Sequence, residues 1–324
     1  MRVGLVGTGV MGGVHAAGWA AAGAELVAVY SRDGERARAL AGQYGARVVS
    51  SYGDLLREVD VVDICVPTHL HHSMALEAFA QRRHVVCEKP IALTEAEGRE
   101  MIAAAERAGV RFFVAMVLRF FPQYRLTRQL VEQGRVGQVG VIRLKRVSYT
   151  PQKAGDNWYL DPARSGGMMV DLMVHDFDFA CWLAGDVTRV YARAAGDRYA
   201  LATLRFASGA MALIEGGWAN PPGVFRTAID VAGTAGVIEW SSDATASIRT
   251  YLRQPTGAAG EVGLPLSPLA EDPYTVQIKH AYEAIRTGTP FEVTPEDALR
   301  ALRVALAARE SARTGRSASL EEVR

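Results

Sequence analysis

Val3-Gly4-Leu5-Val6-Gly7-Thr8-Gly9-Val10-Met11-Gly12 stands at the start of the sequence, and its reading decides the first half of the chain. The apolar run from Val3 to Val6 has the length and composition of a short buried strand. It runs directly into G-x-G-x-x-G, and residues 14–22 are helical in character. In a strand–turn–helix context the three glycines have separate tasks. The first permits the tight turn, the second lets the backbone approach a pyrophosphate, and the third lets helix and strand pack closely. The helix start adds free N–H groups and a positive dipole end. Gly7, Thr8, Gly9, Val10, Met11 and Gly12 are therefore the candidate phosphate cradle of a dinucleotide site.

The next strand, residues 25–30, ends in Ser31-Arg32-Asp33, about twenty residues past the glycines. A carboxylate at that point bonds the ribose hydroxyls of NAD and repels a 2′-phosphate. Here Ser31 and Arg32 offer a hydroxyl and a guanidinium, both able to receive a phosphate, so NADP is expected in preference to NAD. The alternative is that Ser31 or Asp33 caps a helix at 35–41 and Arg32 is solvated. Alternation continues with strands at 47–49, 61–66, 84–87 and 111–115, and helices at 52–57, 70–82 and 95–108. Strand–helix–strand repeats mean a parallel sheet with right-handed crossovers, a doubly wound Rossmann domain.

The strand at 84–87 closes in Cys87-Glu88-Lys89-Pro90. A side chain at the carboxyl end of such a strand borders the crevice where open α/β sheets bind ligands. Pro90 fixes its own φ and ends regular pairing there. In isolation Lys89 reads as a solvated loop lysine; the glycine turn at the amino terminus and the Asp171/His175 pair in the second half make it a candidate catalytic residue. His69, His71 and His72 cluster after Pro67, near Cys65, but no further ligand completes a metal set. They are expected to line the cofactor crevice or cap the helix, with no metal bound.

Arg119-Phe120-Phe121-Pro122 ends the Rossmann part. Arg119 reads equally as a cofactor or substrate contact and as a hinge arginine paired with a carboxylate. A helix at 122–133 leads into strand-like sequence at 139–148. Residues 156–167, with Trp158 and Arg164, suit a wall for a sugar or polyol, or a surface loop packed by its own aromatics. A single helix is expected over 167–183. Asp171 and His175 stand at i and i+4 on one face, and Met169, Met173, Phe177 and Ala180 form an apolar stripe. Strands follow at 187–194, 199–206, 210–217, 227–232, 236–240 and 247–252, then a loop over 253–272 and helices at 273–286 and about 294–313. The second half is thus expected to be an α+β domain with a large, mostly antiparallel open sheet, a face of which a second subunit covers.

Taken in order, the motifs resemble the Gfo/Idh/MocA oxidoreductases. The resemblance rests on the glycine turn, on Pro67-Thr68-His69-Leu70-His71, on Glu88-Lys89-Pro90, and on Gly166-Gly167 followed by Asp171 and His175. It implies that Lys89 lies beside the nicotinamide and the substrate hydroxyl, with Pro67, Thr68, His71 and Glu88 among the cofactor contacts. It also implies dimers or tetramers through the second sheet, and a last helix that returns toward the first domain. The expected activity is hydride exchange between NAD(P) and a secondary alcohol of a sugar, polyol or related hydroxy compound. His175 is the candidate general base, Lys89 the holder of the substrate oxygen, and Asp171 their orienting partner; His175 and Lys89 are interchangeable on sequence alone. Two alternatives are a non-redox glycosidase that retains its dinucleotide and a dinucleotide- or sugar-sensing regulator.

The bulk numbers agree with a soluble two-domain enzyme, divided at 1–118 and 119–324. The 324 residues are 49% hydrophobic and 22% charged, with a formal net charge of +1. That balance gives no field to draw nucleic acid or a membrane surface. Three separated cysteines fit a reducing compartment. No apolar run reaches membrane-spanning length and no signal peptide precedes the first strand, so the cytoplasm is the expected location.

Overall fold

A computed structural model describes residues 1–153, 155–243 and 271–320. The chain divides into two compact units, the described parts of Met1–Phe120 with Ser267–Leu299 and of Phe121–Leu266 with Arg300–Arg324.

The first unit alternates as expected. It contains β1 (Arg2–Val6), α1 (Val10–Ala21), β2 (Glu25–Tyr30), α2 (Gly34–Tyr44), β3 (Arg47–Val48), α3 (Tyr52–Glu58), β4 (Val61–Ile64), α4 (His71–Ala80), β5 (His84–Glu88), α5 (Glu95–Ala108) and β6 (Phe112–Ala115). All pairings are parallel, in the order β3-β2-β1-β4-β5-β6. β4 and β6 are buried at every residue, as strands covered on both faces must be. The order reverses beside β1, so the switch point where such sheets bind ligands lies between β1 and β4. Thr68–Leu70 form a separate 3-10 turn ahead of α4, so the expected helix at 70–82 is shorter at both ends. Local chemistry sets the other boundaries. Asp33 caps α2 by accepting from the Arg36 N–H at 3.0 Å, and Thr94 with Glu97 forms a capping box on α5.

The second unit begins with α6 (Pro122–Glu132) and β7 (Val139–Tyr149). Three helices follow, α7 (Pro162–Ser165), α8 (Met168–Asp171) and α9 (Val174–Ala184). Next come β8 (Val187–Ala195), β9 (Tyr199–Phe206), β10 (Met211–Asn220), β11 (Arg226–Gly233) and β12 (Val237–Ser241). Helix α10 (Pro273–Thr287) belongs to the first unit, and its Ile278 packs on Gly18 of α1, where an added Cβ would lie 2.8 Å away. The division between units falls within α11 (Pro295–Thr314), after which β13 (Ala318–Ser319) adds a short edge strand that the sequence did not suggest. The sheet order is β12-β11-β7-β10-β9-β8-β13, antiparallel except for the β7–β10 pair. Helices α6, α8 and α9 lie on one face. The alternation in β9, with Ala200, Ala202, Leu204 and Phe206 buried and Leu201 exposed, places the core on that face. The strand expected at 247–252 lies outside the described residues.

The expected single helix over 167–183 is two. The break falls at Leu172–Met173, where the Met173 N–H donates to the Met168 carbonyl, a five-residue step that widens the turn. Met173 is fully buried against Gly216 of β10; an added Cβ there would meet its Cγ at 2.3 Å. Asp171 therefore ends one helix and His175 begins the next, and the pair does not sit on one solvated helical stripe. Asp171, Asp176 and Asp178 are all buried.

Candidate active site

In the first unit the carboxyl ends of β1, β2, β4 and β5 share one edge of the sheet and deliver the glycine turn, Ser31, Pro67-Thr68 and Glu88-Lys89 to it. The glycines differ in their surroundings. Gly7 has φ +96°, and an added Cβ would fall 2.3 Å from the Cys65 carbonyl oxygen. At Gly12 it would fall 2.2 Å from the Gly7 oxygen, but at Gly9 it would meet nothing within 4 Å. A missing side chain at Gly9 thus relieves no contact inside the protein and leaves room for something outside it.

Two further observations fit a dinucleotide at this edge. The start of α1 has no side-chain cap and no acidic residue in its first turn, so its N–H groups and dipole are available to an anion. The Thr68 hydroxyl is buried and has no hydrogen-bond partner among the described residues, a cost that a bound partner would remove. Ser31 Oγ accepts from Thr8 Oγ1 at 2.9 Å and from the Asp33 N–H at 3.2 Å. Asp33 is the cap of α2, and Arg32 is exposed.

The Glu88-Lys89-Pro90 turn is held from inside the unit. Glu88 Oε2 accepts from the Lys89 N–H at 3.0 Å, and Glu88 Oε1 meets His15 Nε2 at 3.0 Å. His15, on α1, also bonds Asp63 through Nδ1 at 2.9 Å, and Asp63 accepts from Trp19 Nε1 at 2.6 Å. Burial acts to lower the His15 pKa, but the Asp63 carboxylate and the Cys65 thiol outweigh it, and the imidazole is held well above its ordinary value. The sequence reading missed this cluster. Its only signal was a histidine three residues past Gly12, on the inward side of the glycine-turn helix.

His15, Asp63 and Cys65 bring one ligand atom each within 4.8 Å of one another, the one such trio among the described residues. The atoms are engaged with each other, and a metal needs the deprotonated imidazole that this site disfavours. The histidines after Pro67 do not converge. His72 Nε2 meets Glu100 Oε2 at 2.8 Å, whereas His71 is fully buried between the Pro90 and Val66 carbonyls at 2.9 and 3.0 Å. Burial lowers the His71 pKa. Both of its ring nitrogens therefore face backbone carbonyls, and His71 ties the Glu-Lys-Pro turn to the end of β4. Arg119 is also engaged elsewhere. Its Nη1 donates to Asp297 at 3.0 Å and to the Glu292 carbonyl at 3.2 Å, a pairing with a carboxylate as one of its two readings has it.

In the second unit Gly166 and Gly167 both have φ +80° and turn the chain into α8. An added Cβ at Gly166 would strike Val170 at 2.6 Å. Ser165 Oγ donates to the Tyr159 carbonyl at 2.9 Å and accepts from the Gly167 N–H at 3.0 Å, and Arg309 Nη1 donates to the Gly166 carbonyl at 3.2 Å. Ser165 and Arg309 are supports that no motif had marked. Asp176, next to His175, is tied to Arg146 of β7. Trp158 stacks on Tyr159 with ring centroids 4.0 Å apart, and both terminal nitrogens of Arg164 bond Asp156, Nη2 at 2.8 Å. The segment thus makes these contacts within itself.

Residues 1–116 match the oxidoreductase family with an NAD-binding Rossmann fold, and residues 124–239 match the GFO/IDH/MocA C-terminal domain. The chain belongs to the Gfo/Idh/MocA oxidoreductases. Among its relatives, the uncharacterized oxidoreductase YrbE of Bacillus subtilis is 32% identical over 85% of this chain and 82% of its own length. The myo-inositol 2-dehydrogenase of Thermotoga maritima is 30% identical over 100% of this chain and 99% of its own. GenD2 from gentamicin A biosynthesis, solved in complex with NAD, is 26% identical, with a TM-score of 0.87 over 99% of this chain and 97% of that one. The first unit of this Gfo/Idh/MocA member is accordingly its NAD(P)-binding domain.

Proposed function

We propose that the chain oxidises a secondary alcohol of a sugar, polyol or related hydroxy compound, or reduces the matching ketone, and that it prefers NADP to NAD. The observation that carries the reading is the glycine turn at the β1–β4 switch point with Lys89 delivered to the same sheet edge. The myo-inositol specificity of the Thermotoga maritima relative supports the substrate class. GenD2 was solved with NAD, so the NADP preference rests on the chemistry of this chain's own Ser31 and Arg32 alone; the Asp33 cap and the exposed Arg32 are the features of the alternative reading.

The cradle for the dinucleotide is Gly7 to Gly12 with Thr68, and Ser31 and Arg32 take the 2′-phosphate. When bound, the nicotinamide supplies hydride transfer. Lys89 holds the substrate oxygen and stabilises the negative charge that develops on it. His175 accepts the hydroxyl proton on a ring nitrogen, as the lone pair of a neutral imidazole can. Asp171 orients His175 or bonds a neighbouring substrate hydroxyl.

A second copy of the chain covers the open face of the second-unit sheet. Leu201, Met211 and Leu213 are about half exposed there, at 58%, 49% and 47%, among cross-strand pairs such as Lys145–Glu215 at 3.0 Å and Arg143–Asp230 at 2.9 Å. Light scattering should give a dimer or tetramer. The proposed location is the cytoplasm, where the free thiols of Cys65, Cys87 and Cys181 persist. Among the described residues, no helix is long and apolar enough to cross a membrane.

Fluorescence titration with NADPH and NADH tests the cofactor assignment; tighter NADH binding overturns the preference. Lys89→Ala and His175→Ala should each lower turnover by about a hundredfold or more. Near-normal turnover in either variant removes that residue from the mechanism.

A further inference from the structure

We propose that His15 is a positioning residue for the reaction: bridging the carboxylates of Asp63 and Glu88, it fixes Glu88 and, through it, the backbone at Lys89. The inference rests on the reading of Lys89 as the group that holds the substrate oxygen. It starts from a line of hydrogen bonds that crosses the unit and ends at that residue. Trp19 Nε1 donates to Asp63 at 2.6 Å, Asp63 holds His15 Nδ1 at 2.9 Å, and His15 Nε2 holds Glu88 at 3.0 Å. The other Glu88 oxygen accepts from the Lys89 N–H at 3.0 Å. Trp19, His15 and Asp63 are fully buried, and Glu88 is 7% exposed. The links come from three elements: Trp19 and His15 from α1, Asp63 from β4, Glu88 from β5.

Two carboxylates at this depth cannot both stay charged without a cation between them. His15 is placed to be that cation and to donate from both nitrogens. Filling the same space with apolar side chains would cost less desolvation, but it would set no orientation at the strand end. Charged, directional bonds do: Glu88 has one oxygen committed inward to His15, so its other oxygen is fixed where it receives the Lys89 N–H. His71 holds the next link of the same turn, the Pro90 carbonyl, at 2.9 Å. The lysine backbone is thereby pinned on both sides by histidines that have no place in the reaction itself. A shift of about 1 Å at a reacting group can cost a hundredfold in rate, which is the scale on which such pinning matters.

The first test needs no substrate. Amide hydrogen exchange is measured on the cofactor-free protein, wild type and His15→Gln. Protection of the Lys89 N–H should fall by about tenfold or more, while that of Val85 and Val86 in the same strand stays within about threefold. Equal loss at all three amides means a general loss of stability and overturns the inference; no loss at Lys89 does so as well. If His15→Gln does not fold, Trp19→Phe serves instead. It removes only the donor to Asp63, and the same selective loss, smaller in size, is expected; unchanged Lys89 protection in that variant overturns the inference.

The second test is a double-mutant cycle on turnover of myo-inositol with the preferred dinucleotide. His15→Gln and Glu88→Gln should each lower kcat about tenfold or more, and the double variant should be no worse than about threefold below the poorer single, because both break one line. Multiplicative effects overturn the inference. The Kd for the dinucleotide, read by fluorescence, should stay within about threefold in His15→Gln; a larger change would assign His15 to cofactor binding. Lys89→Ala separates the two levels: normal turnover there defeats the catalytic reading while leaving the exchange result standing, and an inactive Lys89→Ala beside a fully active His15→Gln defeats the positioning role alone.

Discussion

Replacing Arg146 with methionine should cost about 4 kcal/mol of stability at pH 7 and much less at pH 5. Arg146 of β7 is 2% exposed and Asp176 of α9 is fully buried. The guanidinium meets the carboxylate through Nε at 2.6 Å and Nη2 at 3.3 Å, and Nη2 also donates to Tyr124 Oη at 2.9 Å. Burial pushes the Asp176 carboxyl up even though the Arg146 charge and hydrogen bonds pull it down. Without Arg146 the carboxylate has two options. It can stay charged and buried, at about 3–5 kcal/mol for a broken buried pair. It can instead take up a proton, which at pH 7 costs about 1.4 kcal/mol for each of the roughly three units above an unperturbed Asp. The two routes cost about the same at pH 7, but the second falls to about 1.5 kcal/mol at pH 5.

The sign follows from linkage. The folded variant binds a proton that the unfolded chain has released, so its stability falls as pH rises above the unfolded Asp value. Urea unfolding of Arg146→Met at pH 5 and pH 7 measures both quantities. Because Asp176 adjoins His175, the variant should also lose turnover. A loss below about 1 kcal/mol at pH 7, or the same loss at both pH values, would refute the reasoning. Arg146→Met with Asp176→Leu should recover most of the loss, since a buried pair replaced by apolar groups is often neutral.

Three further outcomes are expected. Gly9→Ala should leave stability within about 0.5 kcal/mol of wild type yet weaken NADPH binding at least tenfold, because its Cβ enters open space. Gly12→Ala should also destabilise the protein, by about 1–3 kcal/mol, because its Cβ meets the Gly7 oxygen at 2.2 Å; equal behaviour of the two variants in thermal melts and fluorescence titration would refute the division of roles. Gly216→Ala should push Met173 and the α8–α9 break, lowering stability by a similar amount and kcat more than KM in steady-state kinetics. His15 keeps its proton to a higher pH in the folded chain than in the unfolded one. Its contribution is therefore complete below about pH 6.5 and is lost as pH rises through the folded value, a downward slope that should be absent in His15→Gln when both are unfolded in urea between pH 6 and 9.

Much of this was legible in the chain itself. A strand, three spaced glycines and a helix specify a dinucleotide turn because Gly7 and Gly12 admit no side chain and Gly9 leaves open space beside the backbone. Strand–helix alternation then fixes the parallel order, and period-2 patterning marks the second sheet. The family motifs named Lys89, Asp171 and His175 as a set because each has a fixed local spacing. Where the reading went astray, the reason was tertiary. The i, i+4 spacing of Asp171 and His175 suggested one continuous helix, and the fit of Met173 against Gly216, 43 positions away, goes with a break between them. That the Val66 and Pro90 carbonyls face both nitrogens of His71 was likewise not legible. Arg119 pairs with Asp297, 178 positions away, which no local spacing could show.

The sequence by itself determined the elements whose cause is local: the glycine turn, the strand that ends in Glu88-Lys89-Pro90, and the alternation that makes each sheet. Only the tertiary structure decided which polar groups share a buried space. His15, Asp63 and Glu88 are separated by 48 and 73 positions from the histidine outward, and no periodicity links them. They meet because a parallel sheet sets β1, β4 and β5 side by side and lays α1 across them. A buried charge must then find its partner among whatever the fold has brought within reach, and not among its neighbours in the chain.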